Sequence, residues 1–221
     1  KIHKYDLPII LVESGEASVG KKRNMGLDLA KGDYVYFLDS DDYVLPGCLN
    51  ALMEEAEKSH NQVVAGKRMV SWFKKQVYET MSDETNIERN LKDKDHDRLV
   101  KVERKQEKHV YDNEPEQFKI DLLIRTRHAL RNVSCLNLLI KRSLIEDNHI
   151  SFKEEFFWYT DAPFVVELLK YTNDVSFVED AILVKRKHND PINRPALSQI
   201  KDTDGRFDEF IEAHNYCLEI S

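Results

Sequence analysis

A chain of 221 residues with 41% hydrophobic and 10% aromatic residues can bury a core of its own, as one domain or one domain with a small lobe. Its net charge of −7 argues against a protein held on nucleic acid by phosphate neutralisation. Three widely spaced cysteines without a CxxC fit a reducing, cytoplasmic setting rather than a disulfide framework, and no apolar run approaches the roughly 18 residues of a membrane span.

The chain opens on Lys1 and moves almost at once into an apolar run, the pattern expected of a piece of something longer. Residues 7–12 (LPIILV) read as a strand with its proline near the start. A loop with two glycines follows, then a helix over residues 21–30, stopped by Gly32. Residues 34–38 (YVYFL) read as a short strand, apolar on both faces and therefore buried. Pro46 suits the first turn of the next helix, whose apolar stripe is Cys48, Leu49, Leu52, Met53 and Ala56. Residues 63–70 form another expected strand, so the order so far is the strand–helix alternation of an α/β fold.

Residues 82–107 are dominated by charged and amide side chains with little periodicity, and read as an exposed charged insertion extending to about residue 113. A helix is expected at 114–124, a strand at 135–140, a short helix at 142–147 and an aromatic loop or strand at 151–159. An amphipathic helix over 163–171, strands at 175–178 and 181–184, and a helix from about Phe207 complete the chain. Residues 1–200 are thus one domain, and 201–221 a helix that could lead to a further one.

The chemistry concentrates where the strand at 34–38 runs into Asp39, Asp41 and Asp42. Three carboxylates within four residues repel one another unless a cation sits between them. Hard divalent ions such as Mg²⁺ or Mn²⁺ take such oxygen ligands and bridge them to substrate phosphates, and open α/β sheets bind ligands at their strand ends.

Residues 15–26 (GEASVGKKRNMG), residues 30–42 (AKGDYVYFLDSDD) and the following Leu45 and Pro46 resemble the central signature of the family 2 glycosyltransferases. The resemblance implies an inverting enzyme with the GT-A fold, a Rossmann-like mixed sheet flanked by helices. In that fold a first βαβ unit precedes residue 7, and it is missing from this chain. Carried over, Asp41 is the direct ligand of the cation on the diphosphate. Asp39 lies against the ribose or the metal, and Asp42 orients a ligand or meets the donor sugar. Arg23 and Asn24, with Lys21 or Lys22, hold nucleotide or phosphate oxygens; taken alone, each would be a solvated helix face. After the aromatic stretch, Asp161 matches the general base, with Thr160 where the family usually has Glu. The competing reading of Asp161 is a helix N-cap. Trp158 is a candidate for stacking on a sugar. Residues 185–194 occupy the place of a loop that closes over the diphosphate, offering His188 as a third metal ligand and Arg186 and Arg194 as phosphate clamps.

The activity implied is transfer of a sugar from a nucleotide donor, a UDP-sugar by preference, to a hydroxyl of a bacterial surface glycan. A teichoic-acid, other polyol-phosphate or capsule acceptor is expected, reached from the cytoplasm at the inner face of the plasma membrane. Two alternatives stand beside it. One is a non-catalytic glycan-binding or assembly module on the same fold. The other is a haloacid-dehalogenase-type phosphatase, whose nucleophile strand residues 37–41 (FLDSD) also resemble; it lacks the Thr or Val required where Asp42 stands. An EF-hand loop fails for want of its glycine and terminal glutamate.

Overall fold

The computed structural model of the chain describes residues 8–15, 18–72, 77–80, 134–172, 174–187 and 204–220. Within them the elements run α1 (Val19–Leu29), β1 (Tyr34–Tyr36), β2 (Tyr43–Val44), α2 (Cys48–Ser59), β3 (Val63–Trp72) and β4 (Val77–Thr80). They continue with β5 (Leu138–Lys141), α3 (Arg142–Asp147), α4 (Asp161–Lys170), β6 (Val175–Lys187) and α5 (Asp204–Ile220). The charged insertion, the expected helix at 114–124, His188 and Arg194 lie outside the described residues.

One mixed sheet organises the molecule, in the order β1-β5-β3-β6-β2, with β4 pairing the far end of β3. β3 and β6 are parallel; the other pairs are antiparallel. The α/β expectation therefore holds, with both faces of the sheet covered. On one face Val64, Leu139 and Ala181 meet the buried side of α2, Cys48, Leu52 and Ala56. On the other, Val63, Ala65, Ile140 and Leu183 pack with Phe164, Val165 and Leu168 of α4 and with Ala213 and Cys217 of α5. Such burial, at roughly 25 cal/mol per Å² of apolar surface, supplies most of the folding drive.

Two glycines sit at close approaches. A Cβ on Gly20 would lie 3.0 Å from the carbonyl oxygen of Lys153, a tight fit that would push α1 and that loop apart by a few tenths of an ångström. A Cβ on Gly66 would come within 2.4 Å of both the Ala181 carbonyl oxygen and the Asn137 amide. Gly66 marks the shift in register at which β6 inserts Glu179, Asp180 and Ala181 opposite the step from Gly66 to Lys67. The two strands expected at 175–178 and 181–184 are consequently one bulged strand. Asn137 plugs the bulge. It is wholly buried at φ 61, donates to the carbonyls of Lys67 and Ala181 and accepts from the Tyr36 hydroxyl at 2.8 Å.

Other expectations need correction. Residues 8–12 form no strand: they pair with nothing in the described sheet, and Ile9, Ile10 and Leu11 stand exposed. A strand needs a partner for its amides, and apolar composition alone does not provide one. α1 begins at Val19, two residues early, because Ser18 accepts the Lys21 N–H and caps the first turn. Pro46 lies in the turn before α2, and Gly47 occupies the N-cap. α4 begins at Asp161 rather than Pro163.

Candidate active site

The site forms where β1 ends. Phe37, just beyond β1, stands edge-on to Phe152 and Phe164 at centroid distances of 5.2 and 5.8 Å, and those two rings stack face to face at 4.0 Å. This aromatic block fixes the strand end, so the chain turns immediately after it. The Asp42 N–H closes the turn on the Asp39 carbonyl at 3.1 Å. β2 then pairs with β6 through Tyr43–Val184 and Val44–Leu183.

The turn gathers the acids: carboxylate oxygens of Asp39, Asp41 and Asp42 lie within 4.8 Å of one another. From β6, the Arg186 N–H donates to Asp42 Oδ1 at 2.9 Å, and its Nε donates to the Asp41 carbonyl. Arg186 therefore holds the acidic turn from behind, a contact its expected role as a phosphate clamp does not include. The other oxygen of Asp42, Oδ2, is buried with no hydrogen-bond partner. Burial pushes the Asp42 carboxyl above its ordinary range, and neighbouring Asp41 and Asp39 add to the shift, while the Arg186 N–H and Lys185 oppose it. An orphaned carboxylate oxygen beside two further carboxylates is a donor set that suits a hard divalent cation.

Arg23 joins this acidic turn to the start of α4, 138 positions further along the chain. One guanidinium nitrogen lies 3.2 Å from Asp39 Oδ1, and the other donates to Asp161 Oδ1. Its Cζ sits 5.2 Å from the centroid of Phe152, so the same aromatic block supports it. Burial alone would lower the Arg23 pKa, but Asp161 and Asp39 raise it, and the group stays charged.

Asp161 opens α4 and is not its cap. Thr160 holds the N-cap position, and the Asp161 carboxylate turns away from its own helix. Its Oδ2 accepts from the Ser134 hydroxyl at 2.7 Å and from the Cys135 N–H at 3.2 Å, while the Thr160 hydroxyl donates to Oδ1 at 3.3 Å. The side chain is 21% exposed. Burial would push its carboxyl up, but Arg23 and the Ser134 hydroxyl outweigh that and hold it below the usual carboxylate range. Cys135, fully buried beside it, has its thiol driven up by burial and by the Asp161 charge.

Asn24 faces the loop that carries Phe152. Its amide donates to the Phe152 carbonyl at 2.9 Å and to Glu154 Oε1 at 3.1 Å, and accepts the Phe152 N–H at 2.8 Å. Through these bonds Asn24 ties α1 to the loop under the aromatic block. Lys21 is exposed. Trp158 is half-buried, edge-on to Phe157 at 5.0 Å, with its indole N–H buried and unpartnered. Ser134, the Cys135 amide and Phe152 join the site without having been singled out by the sequence pattern. Their partners are remote along the chain, and no local spacing marks them.

The Glycosyl transferase family 2 profile matches residues 1–145, a span that includes Arg23 and the acidic turn and stops short of Asp161. The chain is 22% identical over 201 residues to "Uncharacterized glycosyltransferase EpsJ" of Bacillus subtilis, covering 89% of this chain and 51% of that protein. A shorter stretch of 74 residues, 34% of this chain and 22% of the relative, is 34% identical to the poly(ribitol-phosphate) beta-N-acetylglucosaminyltransferase TarP of Staphylococcus aureus. The chain thus spans about half the length, or less, of these curated relatives. Among solved structures, S. aureus TarS 1–349 in complex with UDP-GlcNAc superposes with a TM-score of 0.59 at 19% identity, over 97% of this chain and 51% of that one. The same protein in complex with UDP gives 0.53 at 18% identity, over 94% of this chain and 47% of that one. At these identities the likeness establishes the GT-A-like fold: a mixed sheet flanked by helices. The family match also removes the ground for the phosphatase alternative. With its acidic turn, its bridging arginine and its sheet in place, the chain belongs to glycosyl transferase family 2.

Proposed function

We propose that this chain carries the reacting centre of an inverting, metal-dependent glycosyltransferase. Its donor is a nucleoside-diphosphate sugar, and its acceptor a hydroxyl on a bacterial surface glycan of the teichoic-acid or capsule kind. The observation that carries the reading is the placement of Arg23 between Asp39 and Asp161, which sets an acid-rich diphosphate site and a lone carboxylate on either side of one guanidinium. That TarS has been captured with UDP-GlcNAc and with UDP supports a uridine donor. The likeness to TarP supports a polyol-phosphate acceptor. The reading puts transfer at the inner face of the plasma membrane; no described helix is long and apolar enough to cross one.

In this mechanism Asp41, with Asp39 and Asp42, would hold Mg²⁺ or Mn²⁺. The chemistry such an ion supplies when bound is neutralisation of the charge left on the departing diphosphate. The bond from the anomeric carbon to the diphosphate oxygen breaks, and its electron pair leaves with the nucleoside diphosphate. The acceptor oxygen attacks the opposite face of the sugar, which inverts the configuration, and Asp161 takes its proton. Arg23 serves both sides. Drawn toward the diphosphate as donor binds, it relaxes its hold on Asp161 and leaves that carboxylate the stronger base. Trp158 borders the acceptor side. Lys21, His188 and Arg194 complete the donor contacts in this reading.

Asp161→Asn separates the roles. In the intact protein it should lower sugar transfer at least about 100-fold while leaving UDP affinity within about twofold. Transfer within about fivefold of wild type would remove Asp161 from the chemistry.

A further inference from the structure

We propose that Glu209, on the C-terminal helix α5, is a positioning residue for this site: its carboxylate clamps the backbone of Trp158 and Tyr159 and so fixes the start of α4, where Asp161 stands. The catalytic consequence rests on the transferase reading above; the clamp itself does not.

One oxygen, Glu209 Oε1, accepts the N–H of Trp158 at 2.6 Å and of Tyr159 at 2.8 Å. The residue is only 8% exposed. A buried carboxylate is costly unless hydrogen-bonded, and bonds from N–H to a charged acceptor are among the stronger ones available. The recipient segment needs them. Residues 151–160 lie in no helix or strand, so their amides have no ladder to join.

The rest of α5 is built to bring Glu209 there. Ala213 and Cys217 are buried in the core that α4 shares, and Phe210 stands edge-on to Tyr159 at 5.5 Å. Lower on the helix, Lys153 at the other end of the loop lies 5.0 Å from the Tyr216 ring centroid and 3.5 Å from Glu167 on α4. The loop is thus tied to α5 near both ends. Thr160, 3% exposed, is the sole residue between the clamped Tyr159 and Asp161. Little slack separates the clamp from the carboxylate it serves.

Backbone amide exchange and transfer kinetics on the intact protein test this, comparing wild type with Glu209→Ala, Glu209→Gln and Glu209→Asp. Glu209→Ala should accelerate exchange at the Trp158 and Tyr159 amides at least about tenfold, with Val63, Val64 and Ala65 of β3 within about twofold. The kcat for transfer should fall about tenfold with donor KM within about twofold. Glu209→Gln, whose amide oxygen still accepts both N–H groups, should restore most of each. Glu209→Asp keeps the charge but withdraws the oxygen by a methylene, so it should behave as the alanine variant does and serves if that variant fails to fold. Unchanged exchange at Trp158 and Tyr159 would overturn the clamp. Equal acceleration through β3 would make Glu209 a general stabiliser and overturn it too, and local acceleration with unchanged kcat would overturn the positioning role. A wild-type protein that transfers no sugar yet shows the local exchange pattern would sink the transferase reading and leave the clamp standing.

Discussion

Arg23 meets Asp39 and Asp161 with two nitrogens of one guanidinium, and 138 residues of chain separate it from the second partner. The side chains of Arg23 and Asp161 are 12% and 21% exposed, so breaking their contact strands charge in a poorly solvated place. Asp161→Asn should therefore cost about 2 kcal/mol of stability near neutral pH. The pH dependence has a definite sign. The Asp161 carboxyl is held below its unfolded value of roughly 3.9, so its contribution is complete above that pH and is lost as pH falls through the lower folded value. Urea midpoints should differ most between wild type and Asp161→Asn at about pH 6–7 and converge below about pH 4. A difference that persists undiminished into acid would mean that the Asp161 charge contributes nothing to stability. The sequence made the acidic turn and Asp161 visible because a run of acids after an apolar strand, and an acid after an aromatic run, are local patterns. That Arg23 spans the two was not legible, since nothing near Arg23 encodes a partner so remote.

The longest strand, β6, was read as two pieces because Glu179 and Asp180 interrupt its apolar pattern. They are the register insertion itself, looped out where Gly66 leaves room and Asn137 bonds the freed carbonyls. The insertion precedes the segment that carries Arg186 to the backs of Asp41 and Asp42. Gly66→Ala would drive a methyl against a backbone carbonyl that cannot rotate away. It should lower stability by about 2–3 kcal/mol, measured as a shift in the urea midpoint at unchanged m-value. A loss under about 0.5 kcal/mol would show that the bulge has slack, and the close packing of Gly66 would carry no weight. Glu209 left a trace that could have been followed. It shares a helical stripe with Ala213 and Tyr216, and a carboxylate on an otherwise apolar face needs a buried partner. Residues 7–12 show the reverse failure, a strand composition whose described part has no strand beside it.

The molecule as a whole is a GT-A-like sheet, and its proposed chemistry lies in the turn that runs from the end of β1 to β2. β1 is the edge strand that delivers Asp39, Asp41 and Asp42; α1 delivers Arg23, and α4 delivers Asp161 from across the core. The alternation of strands and helices was legible because each element carries its own periodicity. The strand order was not, because pairing depends on partners dispersed along the chain. The three acids, the orphaned Asp42 oxygen and the arginine beside them are the groups proposed to support diphosphate departure, with Asp41 as the direct ligand of the cation. UDP release from a UDP-sugar by the intact protein, with and without Mg²⁺ or Mn²⁺, for wild type and Asp41→Ala, bears on it without intermediaries. Release should require the cation and fall at least about 100-fold in Asp41→Ala. Cation-independent release, undiminished in Asp41→Ala, would contradict the account.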